Sequence, residues 1–147
     1  MNNQISFFVN CIPPKSTHQA GLRIIRKKDG TQFIGKFASS KSKHAQDDLT
    51  TLFAPYRPLI PIEGALAIRI EWFYPFRKSE SKKNITKGLI PCDTRPDCDN
   101  LIKGVCDVLT RLGFWRDDAQ IAQIIFRKFW AIKPGIEVKI GTIGGNF

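Results

Sequence analysis

The stretch LAIRIEWFY, residues 66–74, constrains the fold more than any other part of the chain. Leu66, Ile68, Ile70 and Trp72 alternate with Ala67, Arg69, Glu71 and Phe73. Successive side chains of a strand point to opposite faces, so a period of two puts the first set on one wholly apolar face. Such a strand must lie inside a sheet and be covered on at least one face. The pattern predicts a central strand over Ala65 to Tyr74, and the other segments are read as its neighbours.

Ile5 to Val9 reads as a short buried strand ended by Pro13-Pro14. Leu22 to Arg26 and Thr31 to Phe37 flank Lys27-Lys28-Asp29-Gly30, whose Asp-Gly pair is a hairpin signal. Ser39 to Phe53 predicts a helix: Ser39 or Ser40 can cap it, Leu49, Leu52 and Phe53 share a face, and Pro55 stops it. Asp99 to Leu112 predicts a second helix. Leu101, Val105, Val108, Leu109 and Leu112 fall at helical spacing, and Gly113 sits where a left-handed C-terminal residue belongs. Gln120 to Ala131 reads as a strand, Pro134-Gly135 as a turn, and Ile136 to Ile140 as a closing strand. The tail Gly141 to Phe147 is expected to fray. The sum is a single mixed α/β (α+β) domain over residues 1–147: a small mixed sheet of four or five strands with two main helices.

Charge narrows the partner. Lys and Arg number 23 against 13 Asp and Glu, a formal net charge of +10, which points to nucleic acid or an anionic membrane surface. No run approaches the roughly 20 apolar residues of a membrane span, and MNNQISFFVN lacks the basic-then-apolar layout of a signal peptide. Nucleic acid is the favoured partner. Cys11, Cys92, Cys98 and Cys106 form no C-x-x-C pair, and His18 and His44 are not spaced to complete a zinc site. The cysteines are read as reduced thiols of a cytosolic protein, and the two histidines as solvated.

Against this basic background, Arg95 to Ile121 (RPDCDNLIKGVCDVLTRLGFWRDDAQI) carries five aspartates. Asp97 and Asp99 point the same way if the chain before the helix is extended. Two carboxylates that close repel unless one takes a proton or a cation sits between them, and hard oxygen ligands suit magnesium. Either residue can equally serve as a helix cap. Lys103 and Asp107 continue Asp99 at intervals of four along one helical face. They form either a surface ladder, about 0.3–0.5 kcal/mol per pair, or a cation poised over a reacting phosphate. Asp117 and Asp118 follow the helix. Asp118 reaches the first pair only if the chain doubles back or the next strand runs beside the helix start, because the helix itself spans about 20 Å. The preceding stretch, Phe76 to Thr94, places Arg77, Lys78, Lys82, Lys83 and Lys87 among Ser, Asn and Gly. It reads as a basic, mobile loop that contacts phosphates, with Arg95 at its end. Phe114 and Trp115 read as core or dimer contacts rather than as a wedge between bases.

The run R-P-D-C-D-N-L-I-K-G-V-x-D-x-L, followed by G-F-W-x-D-D-A-Q-I, closely resembles the signature of the RusA family of Holliday junction resolvases. Cys98 departs from it, standing where the family carries a leucine-like residue. The resemblance implies a magnesium-dependent homodimeric endonuclease of small mixed α/β fold. It implies paired symmetric nicks in four-way (branched) DNA during recombination and repair. It matches the essential carboxylates to Asp97, Asp99 and Asp118 and the lysine to Lys103, with Asn100 and Asp117 at neighbouring signature positions. It also implies an active site assembled at the dimer, and a cytoplasmic, nucleoid-associated protein of a bacterium, its phage or its prophage. Two other readings compete: a non-catalytic basic DNA-binding protein, in which the aspartates are caps and turns, and a metal nuclease acting on flap or fork DNA. An RNA-binding protein ranks lower, since no RNP-like aromatic motif is present.

Overall fold

The computed structural model describes residues 4–15, 20–38 and 40–144. Seven strands and three α-helices occur among them: β1 (Ile5–Val9), β2 (Ala20–Arg26), β3 (Gln32–Ala38), α1 (Ser40–Phe53), β4 (Leu66–Pro75), α2 (Lys82–Thr86), β5 (Leu89–Pro91), α3 (Cys98–Leu112), β6 (Ile121–Ala131) and β7 (Gly135–Thr142). Five strands form one mixed sheet in the order β1-β7-β4-β6-β5. The strand β4 is central, as its alternation requires. It pairs in parallel with β6 and antiparallel with β7.

One face of β4 carries Leu66, Ile68, Ile70, Trp72 and Tyr74, all nearly inaccessible to solvent. Leu49 and Phe53 of α1 and Leu101, Val105, Val108 and Leu109 of α3 share the same core. Both helices thus lie against one side of the sheet. The opposite side is polar: Arg69 pairs with Glu71 at 2.8 Å, and Arg127 reaches Glu71 at 3.4 Å. Phe73 is flanked there by Phe8 and Phe129. An antiparallel-rich sheet covered on one face explains the clean period of two in β4.

Two expectations need correction. The stretch Phe76 to Thr94 is not an unstructured loop. Ser81 caps α2 through Asn84 N at 3.2 Å, and β5 adds an edge strand to β6, with Ile90 opposite Trp130. The apolar residues Ile85, Leu89 and Ile90 are too few and too far apart for a pattern, so neighbours rather than local periodicity make this element. The tail also begins later than expected, since Gly141 and Thr142 pair with Ala67 and Leu66; residues 145–147 lie outside the described set. So do His18 and Ser39, the first of the two candidate caps for α1.

The hairpin β2–β3 forms a sheet of its own. Its turn closes through Gly30 N to Lys27 O at 3.0 Å, and Gly30 has a φ of 89°, the left-handed conformation that glycine adopts without strain. Asp29 accepts from both Thr31 N and Thr31 Oγ1, as an Asx-turn residue does. No helix among the described residues is long and apolar enough to cross a membrane.

Candidate active site

The helix α3 organises every aspartate of the acidic segment. Its start is set by Pro96, which is buried, and by Asp97, whose backbone is extended (φ −75°, ψ 145°). The helix begins at Cys98, so Asp99 already lies in the first turn. Asp97 and Asp99 therefore do not project from one extended run, and the reason is the helix starting one residue earlier than the apolar stripe indicates. Asp97 holds the N-cap position, yet its side chain makes no capping hydrogen bond. Both carboxylates are exposed. The capping account of Asp97 is thus not realised, and its oxygens remain available to a ligand.

The turn carrying Asp97 is held from the sheet. Lys128 of β6 donates to Thr94 O at 2.5 Å and to Pro96 O at 2.6 Å, and Cys92 N donates to Lys128 O at 3.0 Å. No sequence motif marks Lys128; its spacing on β6 carries no information about which loop it will meet.

The other end of α3 is built differently. Gly113 ends the helix at φ 80°, and its N–H donates to Thr110 O. Phe114 and Trp115 follow and are buried, which bears out their reading as core residues. Asp117 caps the short turn Asp118–Gln120: its side chain accepts from Ala119 N at 2.7 Å, and the Gln120 side chain accepts from Asp117 N at 3.2 Å. Asp117 is therefore committed to a capping box. Asp118 is exposed, and its Oδ1 accepts from Thr110 Oγ1 and from Trp115 Nε1.

Between the two ends runs a shallow groove of about 300 Å³, lined by Ile102, Lys103, Cys106, Asp107, Asp118, Ile121 and Ile124. Lys103 and Asp118 thus share one depression. Asp99 stands about 6 Å from Lys103 along the helix, and Thr110, the partner of Asp118, about 16 Å from Asp99. The chain does double back, because β6 runs beside α3 and brings Lys128 to the helix start. But Asp118 stays where β6 begins, at the far end. Among the described residues no three His, Cys, Asp or Glu side chains converge closely enough to hold a metal ion. The groove brings together Lys103, Asp107 and Asp118, while Asp97 and Asp99 stand at the start of the helix, away from Asp118.

Asn100 lies in the first turn of α3, half-buried. The cations of the preceding stretch are exposed. Lys82, Lys83 and Lys87 sit on or just after α2, and Lys78 and Arg95 lie on the flanking loops. Arg77 instead pairs with Glu80 at 3.0 Å and lies over the Trp130 ring at 5.0 Å. Hydrogen bonds from Asn84 and Arg77 hold the Glu80 carboxyl below its ordinary range. The cysteines are unpaired. Burial pushes the Cys106 thiol up to about 12, helped by the charges of Asp118 and Asp107, and burial also raises Cys98 and Cys11. Raised in this way, the three thiols stay protonated at neutral pH. His44 is exposed on α1.

The profile of endodeoxyribonuclease RusA matches residues 11–141, which includes β2 to β6, the groove and nearly all of β7. The chain belongs to the RusA family of endodeoxyribonucleases. Among relatives, the uncharacterized protein YqaN of Bacillus subtilis (strain 168) is 33% identical over 109 residues, covering 71% of this chain and 76% of YqaN. The crossover junction endodeoxyribonuclease RusA of Shigella sonnei (strain Ss046) is 29% identical over 109 residues, covering 74% and 78%. That of Enterobacteria phage 82 is 40% identical over 58 residues, covering 39% and 48%. The five-stranded mixed sheet with its flanking helices is the fold on which this RusA-family chain carries its acidic segment.

Proposed function

We propose that the chain is a magnesium-dependent homodimeric endonuclease that resolves four-way DNA junctions by paired symmetric nicks, each active site drawing Asp97 and Asp99 from one protomer and Asp118 from the other. The observation that carries this reading is the separation of the carboxylates along α3, with a half-apolar groove between them. Ile124 in that groove is 50% exposed. A second copy packed two-fold about the middle of α3 sets the N-terminal end of each helix against the C-terminal end of its partner. An isologous dimer makes two such sites at once, as two symmetric nicks require.

Asp97, Asp99 and Asp118 are hard oxygen donors, all exposed and none ion-paired with a cation among the described residues, so they suit magnesium. Bound there, the ion supplies Lewis-acid stabilisation and orientation of water. The chain's own residues do the rest. Lys103 offers positive charge to the scissile phosphate. Lys78, Lys82, Lys83, Lys87 and Arg95 track the backbone, with Arg77 limited to a supporting part by its contacts to Glu80 and Trp130. At the hairpin tip, Arg26, Lys27 and Lys28 reach toward a DNA arm; of Arg23 only the backbone is described. Such contacts position the DNA without reading its sequence. The same reading makes the protein a cytoplasmic participant in recombination and repair of bacterial or phage DNA.

The test compares a synthetic four-way junction, a flap and a linear duplex in magnesium and in EDTA, with wild type and Asp99→Asn. Symmetric nicks confined to the junction, and lost without magnesium or Asp99, are expected. Preferential flap cleavage would replace the resolvase with a fork nuclease. Tight junction binding with no cleavage under any condition would leave a binding module.

A further inference from the structure

The aspartate at the far end of α3 is held in a way that the family signature does not explain. Its Oδ1 receives two donors: the Thr110 hydroxyl and the Trp115 indole N–H, the latter at 3.0 Å. The indole N–H is also 2.7 Å from Thr110 Oγ1, so the three groups close a triangle. The hydroxyl has a single proton, and Cys106 O is its other acceptor, at 2.9 Å. A carboxylate is the stronger acceptor, so the proton goes to Asp118 whenever that group is ionised. Both donors come from rigid places: Thr110 lies within α3 and Trp115 is 1% exposed. Oδ2 carries no hydrogen bond among the described residues.

We infer that Thr110 and Trp115 are positioning residues. They saturate Oδ1, fix the rotation of the carboxylate, and leave Oδ2 as the one oxygen of Asp118 directed at a cation. This rests on the reading of Asp118 as a metal ligand. Donors that fix a ligating carboxylate are worth about 10–100-fold in metal affinity or activity. A staple for the turn would have a different signature. An asparagine at this position would still present an amide oxygen to both donors, so a purely structural triangle tolerates Asp118→Asn, whereas a metal ligand does not.

The experiment measures Mn2+ affinity of the 147-residue chain by electron paramagnetic resonance, beside thermal melting and junction affinity in EDTA. Thr110→Val keeps the volume and removes the hydroxyl; Thr110→Ser restores it; Trp115→Phe removes the indole donor. Thr110→Val is expected to weaken Mn2+ binding by about tenfold or more, with junction affinity unchanged. Thr110→Ser should recover the affinity, and Trp115→Phe should repeat the loss. In an Asp118→Asn background, Thr110→Val should cost no further Mn2+ affinity. Wild-type Mn2+ affinity in both Thr110→Val and Trp115→Phe, with only a lower melting temperature, would reduce the triangle to a fold staple. Wild-type Mn2+ affinity and cleavage in Asp118→Asn would instead remove the metal-ligand reading itself, so the two failures are distinguishable.

Discussion

The two ends of α3 handle their carboxylates in opposite ways. At the N-terminal end, Asp97 and Asp99 are exposed, and Asp97 declines the cap it is placed to make. What is held there is the backbone, through Lys128 on Thr94 O and Pro96 O. At the C-terminal end the backbone is closed by Gly113 and a capping box, and the Asp118 side chain itself is braced. One end fixes the chain and leaves its carboxylates to turn. The other fixes the carboxylate itself. A site assembled from both needs only one rigid carboxylate as a template, while the pair opposite adjusts to the ion.

The sharpest attempt to break this contrast is Asp99→Asn. Cleavage of the junction should fall by at least about a thousandfold while binding survives, and a loss below tenfold would mean that the N-terminal end is not catalytic. Mixing probes whether the ends meet across subunits. Asp99→Asn and Asp118→Asn chains, each inactive alone, should form mixed dimers with one intact site, recovering about a quarter of wild-type nicking on random association. No recovery from freely exchanging subunits would place all three carboxylates in one protomer. Lys103, between the ends, should matter next. Lys103→Ala should slow cutting by about 10–100-fold and weaken binding much less; equal losses would make it a phosphate clamp. Replacing Lys82 and Lys83 with alanine removes four lysines from the dimer and should lower the slope of log affinity against log salt by up to about four, and an unchanged slope would take α2 off the DNA. The smallest effect concerns Cys106, beneath the braced end. Its pKa is raised on folding, so the neutral thiol stabilises the fold fully below the ordinary thiol pKa and loses that contribution as pH rises toward about 12. Cys106→Ala should flatten the alkaline decline in melting temperature; an identical decline would deny the thiol a part in it.

Most of the scaffold was legible because its signals are local. The alternation in β4, the stripe of α3 and the Gly113 stop each need only a few neighbouring residues to be read. The segment around α2 and β5 was misread because Leu89 to Pro91 becomes a strand only when Trp130 and its neighbours lie alongside. The site was legible as chemistry and not as geometry. The family resemblance named the aspartates, but the start of α3 at Cys98 removes the extended run that would have aligned Asp97 with Asp99. The polar contacts of Thr110, Trp115 and Lys128 were not legible for one reason. A hydroxyl on a helix, an indole in a core and an amine on a strand take on a role only through what they meet, and Lys128 meets Pro96 across 32 positions of chain.

The place of β7 in the sheet has a consequence for when the protein becomes competent. Although it follows every other strand in sequence, β7 lies between β1 and β4. A growing chain halted before Gly135 has β1 without a hydrogen-bonded neighbour and the heart of its sheet open along one side. Loop closure between such distant segments is slow and comes late. The central sheet, and with it the support beneath α3, therefore closes only once β7 is available to pair with both β1 and β4.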